Sequence, residues 1–67
     1  MSPRRLRTVL KELRTARGWS MAELAKRAEI TDAYVAQLET GKRANPSLEI
    51  LKRLARALGV PVTELLE

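Results

Sequence analysis

Apolar side chains recur at Leu6, Val9, Leu10 and Leu13, at spacings of three and four that place them on one face of a helix. Ser2 and Pro3 stand just ahead as an N-cap and first helical residue, and Gly18 stands just beyond, so the spacing predicts a helix between them. Ser20-Met21-Ala22-Glu23 then reads as a capping box, in which the serine hydroxyl and the glutamate carboxylate satisfy each other's backbone donors. Trp19 and Leu24 flank it at the two positions of a hydrophobic staple, which gives the tryptophan a structural task. A second helix burying Leu24, Ala25 and Ala28 must be short, because Ile30-Thr31-Asp32 starts another almost at once. A connection of only Glu29 to Thr31 makes the two helices cross steeply rather than lie antiparallel.

The third helix is capped by Thr31, turns Val35 and Leu38 inward and ends at Gly41, which can supply the left-handed residue of a C-terminal cap. Lys42 to Pro46 is a polar loop. Asn45 or Ser47 caps a fourth helix whose buried face is Leu48, Leu51, Leu54, Ala55 and Leu58, and Gly59 closes it. Val60-Pro61 opens a final turn or two carrying Val62, Leu65 and Leu66. No segment alternates with period two for long enough to be a strand. The expected architecture is all-α, a compact bundle of about five short helices in one domain spanning residues 1–67, and a helix-turn-helix lies within it. A chain this short buries only about 60% of its unfolded surface, so the core is small.

Composition narrows the chemistry. Cysteine and histidine are both absent, which removes disulfides, thiolate and imidazole metal ligands, and the commonest general base. With no phosphate-cradling glycine loop and no paired acids at a useful spacing, an enzyme is not expected, nor a metal or a cofactor. The carboxylates at 12, 23, 29, 39, 49, 64 and 67 read as caps, ion pairs and surface.

Charge is unevenly placed. The formal net charge is +5, and residues 1 to 17 hold six basic residues (Arg4, Arg5, Arg7, Lys11, Arg14, Arg17) against Glu12 alone, so the remainder is balanced. A basic face points first to nucleic acid and second to an anionic membrane, with a solvated helix face as the plain alternative. No apolar stretch approaches the ~18 residues of a membrane span, and the amino terminus lacks the apolar run of a signal peptide. The stripe at 6, 9, 10 and 13 suits an ordinary core, so a cytoplasmic protein with no membrane partner is expected.

The segments "ELRTARGWSMAELAKRA", "YVAQLETGKRANPSLEILKRLARALGV" and "TELL" together resemble the lambda-repressor-like, Cro/C1-type (XRE) helix-turn-helix family over roughly nine-tenths of the chain, about Leu6 to Leu66. The resemblance implies a five-helix bundle whose third helix lies in the major groove of double-stranded DNA while the second crosses the backbone. It implies base contacts from Asp32, Ala33, Ala36 and Gln37. Ser20, Met21, Thr31, Thr40, Lys42 and Arg43 would lie near phosphates, and Arg14 with Glu39 would form an ion pair bracing the first helix against the third. Three positions depart from the family: Met21 replaces a common glutamine, leaving its backbone N–H for phosphate; Glu29 stands where the turn often has glycine; and Asp32 sets a carboxylate where the recognition helix first meets its target. If the backbone keeps a positive φ at Glu29, about 1 kcal/mol or more of strain is stored there.

The chemistry of these side chains can be weighed by itself. The Gln37 amide offers a donor and an acceptor that match adenine N6 and N7, worth about 1–3 kcal/mol of discrimination; otherwise it is a solvated helix residue. Ala33 and Ala36 can meet a thymine methyl or simply let the helix approach. Lys42 and Arg43 follow the helix-ending glycine, where they can reach phosphate or complement the helix C-terminus by about 0.3–1 kcal/mol. Tyr34 can pack, or offer its hydroxyl to phosphate. Asp32 is stabilised at a helix N-terminus by about 0.3–1 kcal/mol; it could also accept from cytosine N4 or meet a basic protein.

The leading functional expectation is a sequence-specific transcriptional regulator, a repressor, binding a palindromic operator as a homodimer through Val62, Leu65 and Leu66. No small-molecule effector is evident. The competing expectation is a protein-interaction or antitoxin-like module, supported by Asp32, Met21 and the four acidic against four basic charges of residues 20 to 45.

Overall fold

The computed structural model describes residues 3–43 and 45–66, with side chains from Leu6 onward, so the cap expected at Ser2 and the side chains of Arg4 and Arg5 lie outside the described residues. Five helices follow in order: α1 (Pro3–Ala16), α2 (Met21–Ala28), α3 (Asp32–Thr40), α4 (Leu48–Leu58) and α5 (Thr63–Leu66). There is no strand among the described residues, and the all-α expectation holds.

Each helix begins and ends where side-chain or backbone chemistry supplies the missing hydrogen bonds. The hydroxyls of Ser20, Thr31 and Ser47 accept from the N–H groups of Glu23, Tyr34 and Ile50 at 3.1–3.2 Å, which fixes the starts of α2, α3 and α4 and settles the fourth cap on Ser47 rather than Asn45. The reciprocal half of the expected capping box is not formed among the described residues. Glu23 Oε2 instead accepts from Arg27 Nε at 2.6 Å, a charged donor one turn along outcompeting the neutral N–H of Ser20.

Three helices end in the same way, with a left-handed residue and a pair of backward hydrogen bonds that use up free carbonyls. At α1 the bonds run from Gly18 N–H to Thr15 O and from Trp19 N–H to Arg14 O; at α4 they run from Gly59 to Arg56 and from Val60 to Ala55. At α2 the left-handed residue is Glu29, at φ 60° and ψ 43°, with Ile30 N–H bonded to Ala25 O. It is the one non-glycine residue with positive φ among the described residues. Arg53 Nη1 donates to the Glu29 carbonyl at 3.1 Å and ties this turn to α4.

Leu6 and Leu10 of α1, Leu24 of α2, Val35 and Leu38 of α3, Leu51, Leu54 and Leu58 of α4 and Leu65 of α5 form one core, with Ala25, Ala28 and Ala55 where helices approach closely. One expected core residue is elsewhere: Leu48 is 54% exposed. It is the first residue of α4, where Cα–Cβ bonds tilt toward the N-terminus and off the end of the core, and Pro46 is buried in its stead. α3 packs on both α2 and α1, α2 also packs on α4, and α5 closes the space between α1 and α4. The third helix is therefore held along two sides and free along the rest.

Candidate nucleic-acid interface

Val35 and Leu38 are the α3 residues turned fully into the core, and one side of the helix, from its first turn to Thr40, reaches the surface. Asp32 and Ala33 are exposed at its first turn, and Tyr34, Ala36 and Gln37 are half-buried. Nine residues at 1.5 Å each make a helix about 13.5 Å long, short enough to lie within one major-groove face. Asp32 follows the cap, so its carboxylate sits in the first turn, where the helix dipole favours negative charge.

The capping hydroxyls keep further capacity. Ser20 Oγ and Thr31 Oγ1 each accept a backbone N–H, and a hydroxyl that accepts retains its own hydrogen to donate outward, as a phosphate contact requires. Both are exposed, at the starts of α2 and α3. Met21 is 39% exposed at the first position of α2, and its backbone N–H belongs to the unpaired first turn of that helix. Thr40 is exposed, with its hydroxyl donating to the Gln37 carbonyl at 3.4 Å, so it must turn before donating elsewhere.

Arg14 and Glu39 join α1 to α3 by a two-pronged ion pair: Nε to Oε2 at 2.7 Å and Nη2 to Oε1 at 2.8 Å. The remaining Nη1 donates to the Trp19 carbonyl at 2.7 Å. The two side chains are only 12% and 5% exposed, and the hydrogen bonds to Glu39 raise the Arg14 pKa against the opposing effect of burial. A planar guanidinium with every edge engaged sets the position of α3 relative to α1.

Several arginines make contacts within the protein while staying at its surface. Arg17 donates to Leu13 O at 2.8 Å and to Leu58 O, joining the ends of α1 and α4. Arg27 lies over Trp19, 4.3 Å from the ring centroid. Arg7 Nη1 reaches the Thr40 carbonyl at 3.5 Å, so it lies at the C-terminal end of α3 beside Gly41. Of the two cations after that glycine, Lys42 is exposed, whereas Arg43 folds back: its guanidinium sits 4.9 Å from the Tyr34 ring centroid and its Nε donates to Gln37 Oε1 at 3.0 Å. The sequence carries no sign of either the Arg7 contact or the Arg43 fold-back, because both depend on where α3 ends in space.

A helix-turn-helix family model matches residues 10–65. The chain belongs to the Cro/C1-type helix-turn-helix family. A transcriptional regulator of Deinococcus deserti, DdrOP3, is 47% identical over 58 residues, covering 87% of this chain and 44% of the relative. The chain spans about half the length of the curated relatives it matches. Among solved structures, the restriction-modification controller protein C.AhdI of Aeromonas hydrophila superposes with a TM-score of 0.85 at 39% identity, covering 91% of each chain. The biofilm regulator SinR in complex with DNA superposes with a TM-score of 0.88 at 31% identity, covering 92% of this chain and 98% of that one. These relatives are transcriptional regulators, not enzymes.

Within the family frame, the expected dimer residues divide. Leu65 is fully buried in the protomer's own core and has no surface to give a second copy, because α5 turns it between α1 and α4. Val62 and Leu66 are half-buried and keep an exposed part. No helix among the described residues is long and apolar enough to cross a membrane.

Proposed function

We propose that the protein is a sequence-specific DNA-binding repressor that lays α3 in the major groove and binds an approximately palindromic operator as a homodimer. The observation that carries this reading is the outward face of α3, with Asp32, Ala33, Ala36 and Gln37 together on a helix fixed by the Arg14–Glu39 pair. Flanking it at two helix starts are Ser20 and Thr31, whose hydroxyls are free to donate, as a groove-bound helix flanked by phosphates requires. SinR, similar over almost its whole solved chain, is described bound to DNA.

In this reading Ala33 and Ala36 admit the helix and meet thymine methyls. Asp32 accepts from cytosine N4, and Lys42, the capping hydroxyls and the Met21 N–H hold phosphates. Asp32 also repels phosphate, so it lowers overall affinity while sharpening choice. Dimerisation uses the exposed parts of Val62 and Leu66. Two recognition helices one DNA turn apart need a separation of about 34 Å. Protomers measuring 24 × 23 × 21 Å can provide it in contact, since the distance lies between one and two molecular widths.

Selection of bound duplexes from a random pool tests the proposal. It is expected to enrich two inverted half-sites whose centres lie about 10 base pairs apart. No enrichment at low salt sinks it, and enrichment of a single half-site removes the dimer alone. Weak binding to every duplex, together with capture of a basic protein that depends on Asp32, would favour the interaction-module reading.

A further inference from the structure

The end of α3 differs from the other three long helices in a way that reaches the recognition face. At α1, α2 and α4 the longer backward bond comes from the residue directly after the left-handed one; at α3 it comes from the second residue after Gly41, with Arg43 N–H on Gln37 O at 3.0 Å. That wider turn sets the Arg43 backbone over Gln37. The side chain then runs back along the helix, stacks on Tyr34 with 4.9 Å to the centroid, and donates from Nε to Gln37 Oε1 at 3.0 Å.

The consequence is electronic. A free glutamine amide presents one acceptor and one donor, the match for adenine N7 and N6. Here the acceptor is engaged by a cation, and although Oε1 has a second lone pair, the guanidinium beside it disfavours another donor hydrogen. Gln37 is left with its NH₂ donors, and Arg43 adds the donors of its two Nη groups. The Gln37–Arg43 pair is donor-only.

We propose that Arg43 is a specificity-determining residue: together with Gln37 it reads an acceptor–acceptor base edge, that of guanine O6 and N7, at the base pair Gln37 faces, and without Arg43 the same glutamine reads adenine. This rests on the DNA-binding reading above. Tyr34 acts as the platform that holds the guanidinium against the helix, and a lysine cannot reproduce the arrangement, since it lacks the planar fork and the stacking face.

The test is duplex selection with the wild-type chain, Arg43→Ala and Arg43→Lys, followed by binding to duplexes that differ only at the Gln37 base pair. Thermal melts confirm that each variant folds. The wild type is expected to favour guanine over adenine by about tenfold or more. Arg43→Ala is expected to reverse that preference, and Arg43→Lys to lose it while keeping the salt dependence of the wild type. An equal loss on every duplex in Arg43→Ala, restored by Arg43→Lys, would make Arg43 a phosphate contact and overturn the inference while leaving DNA binding intact. Failure of the wild type to bind any duplex at low salt would overturn both.

Discussion

Glu29 is held at φ 60° and ψ 43° because the turn between α2 and α3 needs a left-handed residue there, and this predicts that Glu29→Gly stabilises the protein. An L-residue in that region costs about 1–2 kcal/mol through the contact of Cβ with the following carbonyl. Glycine removes that cost but brings about 0.5–1 kcal/mol of extra unfolded-state entropy. The net gain is about 0.5–1 kcal/mol, which for a domain of this size raises Tm by about 2–8 °C. The Glu29 side chain is exposed, so its loss uncovers little apolar surface. Its negative charge does sit at a helix C-terminus, an unfavourable place by about 0.3–1 kcal/mol. Glu29→Ala separates the two effects, since alanine removes the charge but keeps the Cβ, and its gain should fade with added salt. Urea and thermal unfolding of the three proteins measure the ladder. A glycine variant no more stable than the alanine variant, or less stable than wild type, would refute the argument.

Glu39→Ala is expected to cost about 3–5 kcal/mol in urea unfolding, because it strands the Arg14 guanidinium in a nearly closed site; Arg14→Met with Glu39→Leu should recover much of that loss. Since the Arg14 pKa is raised, the charged form is favoured by folding and its contribution disappears only as pH climbs through that raised value. Unfolding free energies across the neutral and mildly alkaline range should therefore show no loss from this group. Leu65→Ala is expected to destabilise the fold by about 2–5 kcal/mol, whereas Leu66→Ala, at a half-buried position on the edge of the core, should lower Tm by less and weaken dimerisation in sedimentation equilibrium. Asp32→Ala is expected to relax preference at one base pair of each half-site, read by binding to single-substitution duplexes; equal tightening on all of them would show that Asp32 only opposes phosphate.

Most of the helical plan was legible because its signals are local. Stripes at three and four, Ser20, Thr31 and Ser47 ahead of them, and Gly18, Gly41 and Gly59 behind them act within a turn or two of chain. The readings that failed needed knowledge of where a helix end points. Leu48 carries the right spacing, but its place at the first position of α4 takes it past the core. Leu65 shares a segment with Val62 and Leu66, and only the docking of α5 between α1 and α4 decides that it is interior. Glu23 had two donors within reach, and the choice of Arg27 was a competition that a motif cannot weigh. At the candidate site the same division holds: spacing turned Val35 and Leu38 inward and the family resemblance assigned Asp32, Ala33, Ala36 and Gln37 to the bases, but the Arg43–Gln37 bond follows from a turn one residue wider than its neighbours.

Titrating a nitrogen-15-labelled chain with its selected duplex tests directly, by NMR, whether α3 is the surface that meets DNA. The largest amide shifts are expected at residues 31–43, with a second group at Ser20 and Met21, and the side-chain amide of Gln37 should move with the base pair it faces. Shifts centred on α4 and α5, with α3 unmoved, would contradict it.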